Sequence, residues 1–269
     1  MRMSGHHIPV DLHDIVSLTR QAGIKVRNLF GTEVSVMRKI DDSPSTEADQ
    51  SSNDVLLKGL SVYGFPILSE ESIPAVGDGR GYMWIIDPLD GTKSFLEGTT
   101  DFSVMVGLIY NGRPVLGVVY EPCADQVYVA KKGGGAFVEN AGGMHKIVPS
   151  NVARIHDAML AVSTRARTIE DFKLTVARFR AKKTRYINSN GIKLCGIADG
   201  SYDVFFNPSG RLGQWDYCAP HIILEEAGGR ISHLDGSEVM YGDKWKLLGI
   251  VASNGMLHNE ALDTLKSIE

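Results

Sequence analysis

The feature that most limits the fold is a run of strand-like segments between residues 82 and 140. "YMWII" is followed by "DFSVMVGLIYNGRPVLGVVYEP" and "DQVYVAKKGGGAFVEN", which are rich in β-branched and aromatic residues and are separated by Asn-Gly and Gly-rich turns. This pattern predicts a β-meander. The glycines at 133–135 lie between two strand-like segments, not between a strand and a helix, so we interpret them as a turn and not as a phosphate-binding loop.

Helical patterns flank this run. Residues 11–30 place apolar side chains at helical spacing, and a second helix is predicted from about Glu47 to Val62. The second half of the chain contains two further strands, a helix over 168–183, a helix around "NGIKLCGIA", and a helix with Pro220 in its first turn. Because helices and strands come in blocks and do not strictly alternate, the sequence predicts a layered α+β fold and not a doubly wound parallel sheet.

The composition is that of an ordinary globular protein, with 269 residues, 43% of them hydrophobic and 22% charged. We expect an N-terminal lobe over 1–145 that carries most of the candidate metal ligands, and a C-terminal lobe over 146–269 that completes a site between the two. The net charge of −4 predicts no nucleic-acid partner. No apolar run approaches the ~18 residues of a membrane span, and the N-terminus lacks a signal-peptide core, so we expect a cytoplasmic protein with no membrane partner.

Acidic residues recur where the predicted elements begin or end. Asp87 and Asp90 follow the apolar strand "YMWII", and Glu70 follows the apolar stretch "FPIL". Asp49 lies at the start of the second helix, and Asp216 precedes the helix that contains Pro220. These acids are therefore the candidate functional residues.

Each of these acids also has an ordinary structural explanation. Asp-Pro and Asp-Gly are common turn pairs. Asp49 can complete a capping box with Ser45 or Thr46, and Asp216 can be a helix cap. Glu70 can be a solvated loop charge.

Taken together, the acids favour a metal site. Strand ends in a layered fold converge on one rim, where buried carboxylates repel each other unless a cation lies between them. Carboxylates without a His or Cys partner suit Mg²⁺, and the carbonyl of Leu89 can supply a further oxygen. Gly91 and Thr92 open a turn or short helix whose free N–H groups suit a phosphate. A metal beside such N–H groups predicts phosphoryl transfer to water.

Aspartyl-phosphate phosphatases have a similar D-x-D-G-T-like motif, but their two acids are two residues apart. Here the separation between Asp87 and Asp90 is three residues, with Pro88 between them. We therefore exclude that class of phosphatase.

Three segments, "ILSEES", "WIIDPLDGTKSF" and "QWDYCAPHIILEEAGG", together resemble the signature regions of the inositol monophosphatase superfamily, in the same order. This resemblance implies a layered αβαβα sandwich, commonly assembled as a homodimer, and a lithium-sensitive phosphomonoesterase that uses two or three Mg²⁺ ions. The metal ligands that it implies are Glu70, Asp87, Leu89 (through its carbonyl), Asp90 and Asp216. The catalytic residues that it implies are Asp49, Glu70 and Thr92, with Asp49 and Thr92 orienting the attacking water.

The resemblance also suggests a substrate, a small phosphorylated metabolite. Lys93 stands where inositol monophosphatases typically have Thr, Ser209 stands where they usually have a Glu, and Lys193 in "NSNGIKLC" matches the lysine of a nucleotidase segment "GSSLK". We therefore expect a 3′(2′),5′-bisphosphate nucleotidase that converts adenosine 3′,5′-bisphosphate to AMP and phosphate. The implied substrate-binding residues are Asp90, Gly91, Thr92, Lys93, Ser189, Lys193 and Asp216.

Other functions remain open at this point. One is an inositol-1-monophosphatase, and others are a sugar phosphatase or a histidinol phosphatase of the same superfamily. The non-enzymatic alternative is a metal-dependent protein that binds a phosphorylated ligand without turnover, which would require a broken Asp49–Thr92 pair.

Overall fold

The computed structural model describes residues 8–38, 44–72, 80–209, 212–242 and 246–266. The helices are α1 (Leu12–Leu29), α2 (Glu47–Leu60), α3 (Thr92–Leu96), α4 (Glu170–Arg178), α5 (Asn190–Ala198), α6 (Cys218–Ala227) and α7 (His258–Lys266). The strands of the first half are β1 (Val36–Arg38), β2 (Pro44–Thr46), β3 (Ile67–Ser69), β4 (Tyr82–Asp90), β5 (Ser103–Tyr110), β6 (Arg113–Glu121), β7 (Gln126–Lys131), β8 (Ala136–Asn140) and β9 (Gly143–Lys146). The strands of the second half are β10 (Met159–Val162), β11 (Lys183–Tyr186), β12 (Val204–Asn207), β13 (Leu212–Gly213), β14 (Arg230–His233), β15 (Lys246–Leu247) and β16 (Ile250–Ser253).

Two sheets form the framework. The larger has seven strands in the order β3-β4-β5-β6-β7-β8-β9, and every neighbouring pair from β4 to β9 is antiparallel, which confirms the predicted meander. The smaller has five strands in the order β11-β10-β12-β16-β14 and mixes parallel with antiparallel pairs. The first sheet ends at Lys146 and the second begins at Met159, while the division into two lobes stays a prediction.

The helices form three layers around these sheets. Helices α1 and α2 cover the outer face of the larger sheet, and α5 and α6 fill the space between the two sheets. Helices α4 and α7 cover the outer face of the smaller sheet, where Phe179 stacks on Phe206. The order of layers is αβαβα, as the resemblance implies, and it confirms the layered α+β fold predicted from the sequence pattern.

The predicted helix boundaries hold in part. Asp11 caps α1 by accepting a hydrogen bond from the His13 N–H, and α2 begins at Glu47 as predicted. The helix predicted over 168–183 is present, but it occupies only Glu170–Arg178, so its predicted bounds are too long. Arg180 takes a left-handed conformation with a φ of 46°, which ends the helical path, and the chain then enters strand β11.

Within the described ranges, every helix is too short or too polar to cross a lipid bilayer. The three cysteines are free thiols, and Cys195 and Cys218 are buried.

Helix α6 approaches the larger sheet closely because glycines face it. A Cβ built on Gly117 of β6 would lie 2.3 Å from the carbonyl oxygen of Ala219 and 2.6 Å from Cγ2 of Ile222. Since α6 follows directly after Asp216, this contact also helps to fix the position of that carboxylate. The close packing explains why a glycine occupies this strand position.

Gly117→Ala is therefore expected to lower Tm by about 3–10 °C, because overpacking typically costs about 1–3 kcal/mol in a protein of this size. Thermal unfolding measures the effect. The matched control is Gly142→Ala in the exposed turn between β8 and β9, where the new Cβ would meet only side-chain atoms, at 3.2 Å or more. Equal Tm values for the two variants would contradict this account of the packing.

Candidate active site

The acids Asp87 and Asp90 share one side of β4 because the strand contains a bulge. Residues three apart in a regular strand point to opposite faces. Here Asp87 pairs with Met105 and Asp90 pairs with Ser103, so one extra residue of β4 lies between the two pairs. The Ser52 hydroxyl of α2 donates a hydrogen bond of 2.7 Å to the Pro88 carbonyl within the bulge. The bulge brings the two carboxylates together.

Asp216 joins them from the second half of the chain. It ends a short 3₁₀ helix, Gln214–Asp216, directly before α6. One carboxylate oxygen from each of Asp87, Asp90 and Asp216 lies within 4.8 Å of the other two. Asp87 and Asp90 are buried and Asp216 is half-buried. We call these three residues the acid cluster.

The electrostatics of the acid cluster are unfavourable without a cation. Burial raises the pKa of Asp87 well above its usual value, and the charges of Glu70, Asp90 and Asp216 raise it further. Burial and the charges of Glu70 and Asp90 raise the pKa of Asp216 to about 7. Glu70 follows β3 directly and belongs to the same neighbourhood, since its charge acts on both carboxyls. A divalent cation between these carboxylates would relieve the repulsion, so the donor set fits a hard metal ion.

Asp90 is held by hydrogen bonds from two distant parts of the chain. Its carboxylate accepts from the Ser103 hydroxyl at 3.0 Å, from the Ser189 hydroxyl, and from the backbone N–H groups of Asn190 at 3.0 Å and Gly191 at 2.8 Å. Ser189 is also the N-cap of α5. The carboxylate of Asp90 therefore lies at the N-terminus of α5, where the helix dipole favours a negative charge.

Asp216 has both a structural contact and a contact within the site. Its Oδ2 accepts from the N–H of Gly213, the N-cap of the 3₁₀ helix, at 2.7 Å, so Asp216 is not the N-cap of the helix that contains Pro220. Its Oδ1 accepts from the side-chain amide of Asn190 at 2.8 Å. The N-cap position of α6 is occupied by Tyr217 and not by Asp216.

Asp49 of α2 contacts Thr92, the first residue of α3. Asp49 forms the capping box with Thr46, accepting from its backbone N–H at 2.7 Å and from its hydroxyl at 2.6 Å. The other oxygen of the Asp49 carboxylate lies 3.0 Å from the Thr92 hydroxyl, which is also 3.0 Å from the Leu89 carbonyl. Burial raises the pKa of Asp49 to about 6, although its hydrogen bonds with Thr46 oppose this shift. The capping interpretation and the predicted contact with Thr92 are both correct for Asp49.

Gly91 is required at the turn into α3. Its φ is 92°, and a Cβ at this position would lie 2.7 Å from the carbonyl oxygen of Asp101. Lys93, two residues later, points into solvent with 59% of its side chain exposed, and its ammonium lies 3.7 Å from the Glu97 carboxylate.

Lys193 has a different environment from Lys93. Its side chain is buried in α5, and its ammonium donates to the backbone carbonyls of Ile187 and Asn188, each at 3.3 Å.

A cavity of about 520 Å³ lies where β10 and β12 end, between these strands and helices α4 and α7. Ser209 lines it, and this is the position where inositol monophosphatases usually have a Glu. The other residues that matter for its character are Ser163, Arg165, Phe172, Asn207 and Leu265. The lining from α4 mixes Phe172 with the polar Asp171 and Thr175, and the residues of the acid cluster are not part of the lining.

The comparisons with known proteins give the family. Residues 11–269 match the sequence model of the inositol monophosphatase family. The chain belongs to the inositol monophosphatase family. The proteins of this family and the relatives below are phosphatases, so the chain is a hydrolase of phosphomonoesters.

Two relatives and one solved structure illustrate the similarity. The chain is 34% identical over 244 residues to the 3′(2′),5′-bisphosphate nucleotidase CysQ of Aggregatibacter actinomycetemcomitans, which covers 87% of this chain and 88% of that protein. It is 32% identical over 270 residues to the histidinol-phosphatase of Mycobacterium tuberculosis, covering 96% and 98% of the two chains. The structure of the Thermotoga maritima IMPase superposes with a TM-score of 0.83 at 27% identity, covering 96% and 97%.

This phosphatase uses several residues around Asp90 that the sequence analysis missed. Ser103, Asn190 and Gly191 contact the Asp90 carboxylate from positions 13 to 101 residues away in sequence. No local pattern marks them, because the contacts depend on how α5 is placed against the larger sheet. Ser189 was expected from the resemblance alone, and the structure places its hydroxyl against Asp90.

Proposed function

We propose that this phosphatase is Mg²⁺-dependent and binds two or three Mg²⁺ ions at one site. The proposal is carried by the approach of three carboxylates to within 4.8 Å of one another, in surroundings that raise the pKa of Asp87 and Asp216. The proposed ligands are the carboxylates of Glu70, Asp87, Asp90 and Asp216 and the carbonyl of Leu89. All of them are hard oxygen donors, which Mg²⁺ prefers.

When bound, Mg²⁺ would act as a Lewis acid that lowers the pKa of a water molecule and offsets the charge of the phosphate. The chain's own groups would orient that water. If the Thr92 hydroxyl donates its hydrogen to Asp49, the lone pairs of Thr92 Oγ1 are free to accept a hydrogen bond from the water. Glu70 would assist on the other side of the water, and the backbone N–H groups of Gly91 and Thr92 would hold phosphate oxygens.

This role for Asp49 predicts a pH dependence. Asp49 has to be ionised to accept the Thr92 hydrogen, and its pKa without metal is about 6. Protonation below that pKa removes the acceptor, so kcat is expected to fall on the acid side, with a midpoint at or below pH 6, because a nearby cation can only lower this pKa. A pH profile of kcat at saturating Mg²⁺ measures the midpoint. An acid limb that keeps the same midpoint in Asp49→Asn would contradict this role for Asp49, because the limb would then belong to another group such as Asp216.

For the substrate, we propose adenosine 3′,5′-bisphosphate, hydrolysed to AMP and phosphate. The similarity to relatives named CysQ supports this, as does Lys93, whose ammonium extends into solvent from the first turn of α3. Ser209 leaves uncharged the position where inositol monophosphatases usually have a Glu. The second candidate is histidinol phosphate, because the M. tuberculosis histidinol-phosphatase matches nearly the whole chain.

Phosphate release from a panel of substrates tests the choice. The panel contains adenosine 3′,5′-bisphosphate, inositol 1-phosphate, fructose 1,6-bisphosphate and histidinol phosphate, each with Mg²⁺ and with EDTA. The proposal predicts the highest kcat/KM for adenosine 3′,5′-bisphosphate. A higher value for histidinol phosphate would assign the second candidate, and a higher value for inositol 1-phosphate would assign an inositol monophosphatase.

Lys93→Thr tests the proposed contact with the second phosphate. A charge-assisted hydrogen bond is worth about 1.5–3 kcal/mol, so kcat/KM for adenosine 3′,5′-bisphosphate is expected to fall about ten- to a hundredfold. Inositol 1-phosphate offers no second phosphate, and its hydrolysis is expected to stay unchanged. Steady-state kinetics on both substrates give the result.

The matched control for Lys93 is Lys173→Thr. Lys173 is equally exposed on α4 and lies 3.6 Å from the Glu170 carboxylate, so it has the same kind of helical ion pair outside the proposed site. Its substitution is expected to leave kcat/KM unchanged for both substrates. If Lys93→Thr lowered kcat/KM equally for both substrates, the proposed role of Lys93 in binding a second phosphate would be contradicted.

Three further properties are proposed from the resemblance. Li⁺ is expected to inhibit the enzyme at tens of millimolar, on the order expected for a weakly bound ion. We propose a homodimer, which light scattering at known protein concentration would test against a monomer. We also propose a cytoplasmic location.

A further inference from the structure

Lys193 has an unusual position for a lysine. It lies one turn from the start of α5 and is only 1% exposed. Its ammonium donates to the carbonyls of Ile187 and Asn188 at 3.3 Å each and lies 5.0 Å from the centre of the Phe205 ring. These contacts replace part of the hydration that the charge loses on burial.

The two carbonyls belong to the turn that leads into α5. The next three residues, Ser189, Asn190 and Gly191, supply three of the four hydrogen bonds to the Asp90 carboxylate. A shift of the turn would therefore move most of the donors that hold Asp90.

Asn188 ties the same turn to two other elements. Its side-chain amide donates to the Ser94 hydroxyl of α3 at 2.9 Å, and its Oδ1 accepts from the Thr164 hydroxyl. Helix α3 begins with Thr92, so the turn contacts the helix that carries the Thr92 hydroxyl. Lys193 holds the backbone of this turn from inside the protein.

The charge of Lys193 is balanced by the site. Burial lowers its pKa to about 8, while the charges of Asp90 and Asp216 oppose that shift. A positive charge under the acid cluster therefore offsets part of the repulsion among the carboxylates, in addition to the hydrogen bonds that it makes.

We propose that Lys193 is a positioning residue that fixes the Ile187–Asn188 turn and thereby holds the Asp90 carboxylate in one orientation. The proposal rests on the proposed function only where it treats Asp90 as a metal ligand. It differs from the substrate-binding role that the resemblance implies for Lys193, because a buried ammonium bonded to two backbone carbonyls acts through Asp90 and not on a second phosphate.

The first test is hydrogen exchange of the Asn190 and Gly191 amides in metal-free protein. These N–H groups donate to Asp90, so their exchange reports directly on the contact. Lys193→Met is expected to speed their exchange at least about tenfold, because it removes one charged hydrogen-bonding group. Lys193→Gln keeps a neutral donor and is expected to restore part of the protection, and it serves as the readout if Lys193→Met does not fold.

The second test is the Mg²⁺ requirement. In Lys193→Met the Mg²⁺ concentration for half-maximal activity is expected to rise about tenfold, and by the same factor with adenosine 3′,5′-bisphosphate and inositol 1-phosphate. Saturating Mg²⁺ is expected to restore most of kcat. The matched control is Ile197→Ala, which removes a buried side chain at the other end of α5 and should lower Tm without changing the Mg²⁺ requirement.

Several results would overturn the proposal. Unchanged exchange of the two amides would do so, as would an equal change in the Mg²⁺ requirement of Ile197→Ala. A loss confined to adenosine 3′,5′-bisphosphate would assign Lys193 to the substrate. If the wild-type enzyme needed no Mg²⁺, the proposed function would fail, but the amide exchange would still decide whether Lys193 positions Asp90.

Discussion

Asp87→Asn is expected to lower kcat/KM at least about a hundredfold while the metal-free protein stays as stable as the wild type or becomes more stable. Mutating a residue that only hydrogen-bonds to a metal ligand already lowers metal affinity or activity about ten- to a hundredfold. Asp87 is proposed to be a direct ligand, so its loss is expected to cost more. The asparagine keeps an oxygen that can accept the Leu89 N–H at 3.1 Å, but it removes a charge that burial and its acidic neighbours disfavour. Steady-state kinetics and thermal unfolding without metal measure the two effects.

Asp203→Asn is the matched control for Asp87→Asn. Asp203 is also a buried carboxylate, but it lies at the start of β12 and accepts from the Met159 N–H at 2.6 Å and from the Ser150 hydroxyl. Its substitution is expected to lower Tm and leave kcat near the wild-type value. If Asp87→Asn instead lowered Tm and kept its turnover, the carboxylate would serve the fold and the proposed metal site would be wrong.

Thr92→Val is expected to reduce kcat by about a hundred- to ten-thousandfold, the range associated with positioned proton acceptors and donors. Valine has nearly the same shape as threonine but offers no oxygen, so it breaks the link between Asp49 and the proposed water. The capping box of Asp49 with Thr46 does not involve Thr92, so α2 is expected to stay folded. Single-turnover kinetics at saturating Mg²⁺ separate this loss from weaker metal binding.

The conservative variant Thr92→Ser provides the control. Serine retains the hydroxyl that contacts Asp49 and the Leu89 carbonyl, and its kcat is expected to stay within about tenfold of the wild type. Equal losses in the serine and valine variants would show that the methyl group, through packing, matters more than the hydroxyl.

Much of the fold, and the identity of the acids in the site, can be predicted from the sequence. The strand patterns between residues 82 and 140 predict the meander, because each strand from β5 to β8 is joined to the next by a short turn. The motifs around Asp87 and Asp216 predict which acids meet. What the sequence cannot reveal is the bulge in β4, since an extra residue is defined only by the pairing with β5. Without that bulge, the spacing of three residues would place Asp87 and Asp90 on opposite faces.

The burial of Lys193 is a second feature that the sequence does not reveal. Lysines in the first turn of a helix are usually solvated, and the similarity to a nucleotidase segment suggested a contact with phosphate. Burial of this ammonium depends on the packing of α5 against β12, which brings Phe205 beneath it. The end of α4 is also marked by a long-range contact: Phe179 keeps helical backbone angles and stacks on Phe206 of β12, and the left-handed Arg180 then turns the chain away.

The most direct test of the central claim is phosphate release from adenosine 3′,5′-bisphosphate by protein that has been treated with EDTA and dialysed, followed by titration with Mg²⁺. The repulsion within the acid cluster, of which the Lys193 charge offsets only a part, predicts no release without metal and full recovery on adding Mg²⁺. Full activity after chelation and dialysis would contradict the metal site on which the account rests.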